Sequence, residues 1–254
     1  MNNRLGEINI NNFGSKMKII EYINSHNITV EFENGYKTTA IYQQFKKGSL
    51  KSPYCTTLYD IGYLGEGKYK VWDGENTTIQ YDYWNGILHR CYCEKYHNKY
   101  PTYKDVTCCK EWHNFQTFAD WFDKNYYEVE TGETMHLDKD ILHKGNKIYS
   151  PDTCIFVPKR INMLFCKCDS KRGKYPIGVY WNKRRKKYIA QCSIIINDKY
   201  KRKHIGAFDS VNEAFKEYKI FKENYIKTIA NNYKNYIPLI LYDKLINYKV
   251  NIND

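Results

Sequence analysis

Apolar and polar positions along the 254-residue chain follow three successive patterns. Over residues 1–75 the apolar runs are short. Met17–Ile23 is apolar-rich, Ile28–Phe32 alternates, and Tyr36–Tyr42 resumes after Asn34-Gly35. Asn-Gly between alternating runs is a hairpin signal, because both residues tolerate positive φ. Gly62, Gly65 and Gly67 then mark tight turns. A small, barrel-like β module is expected here.

Over residues 76–170 the period lengthens. Trp84, Ile87, Leu88 and Cys91 recur at helical spacing, as do Trp112, Phe115, Ala119 and Phe122. Between these helices Tyr100-Pro101-Thr102-Tyr103 reads as an extended loop. Next come His136-Leu137-Asp138-Lys139-Asp140, turns at Gly145-Asn146 and Ser150-Pro151-Asp152, an apolar run Cys154–Val157, and Asn162. A hairpin followed by a short helix is expected.

Residues 171–254 carry the cleanest pattern. Strands are expected over Gly178–Trp181, Tyr188–Ile196 and Lys201–Phe208, joined by a basic turn Asn182–Lys187 and a turn at Asn197-Asp198. Ser210, with Glu213 three residues on, reads as a capping box. Ala214, Phe215, Tyr218, Phe221 and Ile226 give the following helix an apolar face, and a shorter helix is expected around Leu239–Ile246. The chain thus reads as α+β in three parts.

Composition excludes several classes. With 42% hydrophobic and 27% charged residues, the chain can bury a core and is too apolar for disorder. No run approaches the roughly 18 apolar residues of a membrane span, and the first twenty residues lack the charged head and apolar run of an export signal. An intracellular location without membrane partners is the expectation. Nine cysteines is an odd number, so a disulfide framework is not expected. Cys91, Cys93, Cys108 and Cys109 read either as buried thiols or as a zinc site, although their spacing is not the repeated two-residue pair of structural zinc.

Charge sharpens the picture most. Residues 1–170 carry 21 basic and 21 acidic side chains, whereas residues 171–204 carry 12 against 1. Nearly all of the net +12 therefore lies in 34 residues. Such a surface repels itself and suits a polyanion, because neutralising phosphates releases counterions. On the second strand Tyr188, Ala190 and Cys192 share one face and Ile189, Gln191 and Ser193 the other. One face packs on the Ser210 helix, so the other is expected to meet solvent or a ligand.

The residues Gly178-Val179, Tyr188-Ile189-Ala190, Ile205-Gly206-Ala207-Phe208 and Ala214 resemble the ethylene-response-factor-type (Apetala-two) DNA-binding domain over about sixty residues. That resemblance implies three antiparallel strands on one helix. It also puts DNA-contacting positions at Tyr180, Asn182, Gln191, Ser193, Arg202 and His204. Arg184 and Arg185, in a turn longer than the plant one, are the expected phosphate contacts.

The central region resembles phage and prophage proteins of the HNH, homing-endonuclease-like kind, many of which carry an Apetala-type module. The matching residues are Trp84, Leu88-x-Arg90-Cys91-Tyr92, Tyr100–Tyr103, Trp112-x-x-Phe115-x-x-Phe118-x-x-Trp121, Leu137–Asp140, Tyr149–Cys154 and Asn162. The resemblance implies a ββα-type nuclease-like domain using magnesium or manganese, with Asp138 and Asn162 as metal ligands. The base position of the usual Asp-His pair falls on Lys139, and a protonated lysine cannot accept a proton unless strongly desolvated. His136 and His143 are the alternative bases. Each residue also has a purely structural reading: turn hydrogen bonding or an ion pair with Lys139 or Lys147 for Asp138 and Asp140, and helix capping for Asn162.

The expected function is therefore a phage-type DNA-binding protein with a metal-dependent endonuclease or nickase centre. The alternatives are a catalytically inactive DNA-binding regulator and a counter-defence protein that binds a host nuclease or its RNA.

Overall fold

A computed structural model describes residues 4–165, 173–196 and 199–252. The chain divides into two compact units, one of residues 1–124 with 147–152 and one of residues 125–146 with 153–254.

The first unit begins with Ile8–Ile10 (β1), Lys16–Asn24 (β2), Asn27–Phe32 (β3) and Lys37–Ala40 (β4), paired antiparallel in that order. Met17, Ile19, Ile28, Val30 and Phe32 alternate into one core and meet Phe45 of a short helix, Tyr42–Lys46 (α1). Burying such a side chain contributes about 1.5–3 kcal/mol. The sheet is an open meander and not the barrel that the alternation suggested. β1 and β4, of three and four residues, do not pair with each other, and closing a barrel needs strands long enough to tilt around the axis. Asn34-Gly35 does turn the chain between β3 and β4, with Gly35 at φ 83°.

The same unit holds Ile79–Tyr92 (α2), Glu94–Lys99 (α3) and most of Phe115–Asn125 (α4). Trp84, Ile87, Leu88 and Cys91 are buried on α2, and the Trp84 indole donates to the Trp112 carbonyl at 2.7 Å. Two expectations for this region change in detail. Pro101–Tyr103 is a 3-10 turn, not an extended loop, with proline at the first position where its missing N–H costs nothing. Trp112 also lies in a 3-10 turn, Lys110–His113, ahead of α4. Thr107–Cys108 (β5) pairs in parallel with Ile148–Tyr149, which is β7.

In the second unit, Met135–Asp138 (β6) pairs antiparallel with Ile155–Pro158 (β8), with His136 opposite Val157 and Asp138 opposite Ile155. The helix Lys159–Asn162 (α5) follows directly. Residues 147–152, between the two strands in sequence, are counted with the first unit.

The C-terminal strands are Val179–Asn182 (β9), Lys187–Ile196 (β10) and Lys199–Phe208 (β11), in the order β11-β10-β9. The expected turn at Asn197-Asp198 lies outside the described residues. Val211–Asn232 (α6) packs Ala214 and Tyr218 against Val179, Ala190 and Cys192. The Ser210 hydroxyl accepts the Glu213 N–H at 3.1 Å, the serine half of the capping box. Gly178 sits at φ 79°, and a Cβ there would meet the Tyr218 ring at 2.1 Å, so the entry to β9 requires glycine. Leu239–Ile246 (α7) buries Leu241 and Leu245. The tail beyond it is pinned by Val250, whose N–H donates to Glu223 and whose carbonyl accepts from Lys219. No helix of the described residues is long and apolar enough to cross a membrane.

Candidate nucleic-acid interface and hydrolytic centre

Strand register decides which side chains share a face. Gln191 lies opposite His204, Ser193 opposite Arg202, Ile189 opposite Tyr180 and Ala207, and Lys187 opposite Asn182. Because 187, 189, 191 and 193 alternate along β10, the six positions Tyr180, Asn182, Gln191, Ser193, Arg202 and His204 all belong to one face, away from α6. A register shift between Ala190 and Gln191 leaves Ile205 unpaired. That bulge is what brings His204, and not Ile205, opposite Gln191.

Arg184 and Arg185 are exposed in the turn between β9 and β10, where Lys186 adopts φ 49°. The Asn182 side-chain oxygen accepts the Arg185 N–H at 3.0 Å, so it shapes the turn. Lys187 pairs with Asp209. Among the described residues Lys183, Arg184, Arg185, Lys186, Lys199, Lys201, Arg202 and Lys203 have no ion-pair partner.

This face is less open than expected. Ile189 is only 1% exposed and Ile195 only 4%, although both point to the same side as the polar pairs. The accessible part is therefore a strip along Gln191, Ser193, Arg202 and His204. At its far end Tyr200, opposite Ile195, donates its hydroxyl to the Met163 carbonyl at 3.1 Å. Met163 immediately follows Asn162, so the strip ends at the element, formed by β6, β8 and α5, that carries His136, Asp138 and Asn162. Sequence reasoning missed Tyr200; alternation from Arg202 places it on the right face, but nothing in sequence names Met163 as its partner.

Within that element, Met135 and Leu137 are buried and His136 and Asp138 share the other face of β6. Asn162 Nδ2 lies 2.9 Å from His136 Nδ1. As drawn, the amide donates to Nδ1 and the ring proton sits on Nε2. Turning the amide by half a revolution lets Nδ1–H donate to the Asn162 oxygen and makes Nε2 the acceptor. Either way Asn162 orients the imidazole; in the first arrangement His136 takes up the amide NH₂ and not the oxygen, and in the second it takes up the oxygen.

Asp138 Oδ1 accepts the N–H groups of Asp140 and Ile141, at 2.9 and 2.7 Å. Burial, reinforced by the Asp140 charge, pushes the Asp138 carboxyl up to about 6. The strand ends at Asp138, so Asp140 lies in the following bend rather than on a common strand face. Lys139 is tied elsewhere: its ammonium donates to the Asn146 carbonyl at 3.1 Å and meets Asp140 at 3.4 Å. In these two contacts Lys139 acts as a donor, the opposite of what a base does. His143 is exposed in the loop, and its carbonyl accepts the Asn146 N–H.

For a hard divalent ion the donor set fits in part. Asp138 with neighbouring Asp140 offers carboxylate oxygens, and magnesium commonly takes one or two carboxylates and keeps its waters. Asn162 fits through its amide oxygen in the arrangement where its NH₂ is what faces His136. Among the described residues no group of three or more His, Cys, Asp or Glu side chains gathers at metal-binding spacing. Of the four cysteines read as buried thiols or a zinc site, Cys91 and Cys108 are buried, and Cys93 and Cys109 half-buried. A hydrogen bond from the Cys108 thiol, opposed in part by burial, leaves the Cys109 thiol below its ordinary range.

Comparison of the chain with protein-family models, with curated proteins and with solved structures finds no match.

Proposed function

We propose that the chain binds double-stranded DNA through the strip formed by β10 and β11. The observation that carries this reading is the cross-strand pairing of Gln191 with His204 and Ser193 with Arg202 on one face, beside cations that have no acidic partner among the described residues. Long polar side chains on a two-stranded ribbon reach base edges in the major groove, whose walls are phosphate. Arg202 and Gln191 are the base-reading candidates, and Arg184 and Arg185 the phosphate contacts. The decisive measurement is duplex binding across a salt series, which this reading expects to be steeply salt-dependent.

A second reading, favoured by the His136–Asn162 contact, is divalent-metal-dependent phosphodiester hydrolysis. His136, oriented by Asn162, takes the role of base, one of the two alternatives to the Lys139 position that the resemblance implied. Asp138 and Asp140 would hold the ion, which when bound polarises a phosphate and neutralises its developing charge. The Tyr200–Met163 hydrogen bond supports a centre beside the DNA-binding strip. Nicking of plasmid DNA with magnesium or manganese tests it. Undiminished cleavage by Asp138→Ala sinks the site assignment. Binding without cleavage under any divalent metal selects the regulator, and recovery of a protein or RNA partner in place of DNA selects the counter-defence reading.

A further inference from the structure

The cations of β11 are not confined to the face that pairs Arg202 and His204. Lys199, Lys201 and Lys203 lie opposite Ile196, Ile194 and Cys192, and Cys192 belongs to the core under α6. These three lysines therefore occupy the other face of the same strand. All three are exposed, and none has an acidic partner among the described residues. β11 is also the outer strand of its sheet.

A sheet that lies flat on DNA uses one face and gains nothing from cations on the other. Here the first face is partly closed, at Ile189 and Ile195. What projects freely is the edge itself, with positive charge on both sides. The major groove is about 12 Å wide and bounded by two phosphodiester walls. Side chains of one strand point alternately to opposite sides, so a strand set edge-on between the walls addresses both.

We infer that β11 enters the major groove of duplex DNA edge first. Lys199, Lys201 and Lys203 contact one phosphate wall. Arg202 and His204 face the base edges and, with the Lys183–Lys186 turn, the opposite wall. This inference rests on the DNA-binding reading and specifies its geometry.

The test is fluorescence anisotropy of the full chain with a labelled mixed-sequence duplex, between about 50 and 200 mM KCl. Two triple variants are compared, Lys199→Gln/Lys201→Gln/Lys203→Gln and a control, Lys18→Gln/Lys46→Gln/Lys47→Gln, which changes net charge equally at exposed positions. Edge-first entry expects the β11 variant to lower the slope of log K against log salt by about 2.7, since each phosphate contact contributes about 0.9. The control keeps the parental slope. A fall in the β11 variant smaller than one contact, or one matched by the control, overturns edge-first entry and leaves DNA binding standing. A parental chain that does not bind duplex overturns the DNA-binding reading itself, and this geometry with it.

Discussion

The Tyr200 hydroxyl donates to the Met163 carbonyl at 3.1 Å, joining β11 to the residue that follows α5. One hydrogen bond thus fixes the end of the basic strip against the element that carries His136 and Asn162. An exposed tyrosine bond of this kind contributes about 0.5–1.5 kcal/mol. Tyr200→Phe is expected to lose that amount in urea unfolding while keeping duplex affinity. A variant as stable as the parent shows that the bond does not secure the junction.

The basic turn makes a separate prediction. Arg184→Gln/Arg185→Gln removes two phosphate contacts, so the salt slope for duplex binding falls by about 1.8 and affinity drops alike for all sequences. Arg202→Ala, by contrast, is expected to cost about 1–3 kcal/mol of affinity mainly at preferred sequences. Equal effects of the two variants on specific and random duplex would remove the division between reading and anchoring.

His136 and Lys139 compete for one role, and their variants separate them. If the hydrolytic reading holds, His136→Ala lowers nicking by about 100-fold or more, the usual contribution of a general base. Lys139→Met, which cuts the contacts to Asn146 and Asp140, keeps most of the rate. Single-turnover nicking with manganese measures both, and the reverse ranking returns the base to Lys139.

Gly178→Ala is expected to destabilise the C-terminal sheet. Positive φ costs a Cβ-bearing residue about 1–2 kcal/mol, and the new methyl would strike the Tyr218 ring. Thermal unfolding of Gly178→Ala beside Gly178→Ala/Tyr218→Leu separates the two causes, because only the clash is relieved in the double variant.

Glu223 predicts an acid-sensitive tail. Burial acts to raise its carboxyl, but the Val250 N–H and the ammonium groups of Lys219 and Lys249 outweigh it and hold the group below its ordinary value. A lowered folded value means that Glu223 contributes stability above the unfolded-state value near about 4.3, and that this contribution is lost as pH falls through the folded value. Glu223→Gln should therefore melt below the parent at neutral pH, with the gap narrowing in acid. A gap that stays constant with pH shows that the carboxylate charge is not what pins Val250.

Much of the C-terminal fold was legible in sequence, because its side-chain period of two and its helix cap are local properties. Tyr188, Ala190 and Cys192 alternate with Ile189, Gln191 and Ser193, and Ser210 marks the start of α6 to the residue. The bulge that aligns His204 with Gln191 was not legible, since Ile205 looks like any other strand residue until its partner strand is in place. Barrel closure failed for a related reason: alternation shows that a strand has two faces, but not how many partners it finds.

For the candidate centre, sequence and its resemblances named His136, Asp138, Lys139 and Asn162 but assigned their duties by position in a motif. The hydrogen bonds, which draw Asn162 to His136 and Lys139 to Asn146, are tertiary relations that a motif position does not contain. Local chemistry by itself determined which segments become strands and helices and where the positive charge concentrates, because propensity, alternation and charge are readable residue by residue. Only the tertiary structure decided which cations share a face, that Ile189 and Ile195 are covered, and that Tyr200 reaches Met163. Those relations depend on register and on the packing of distant segments, which no local window of the chain contains.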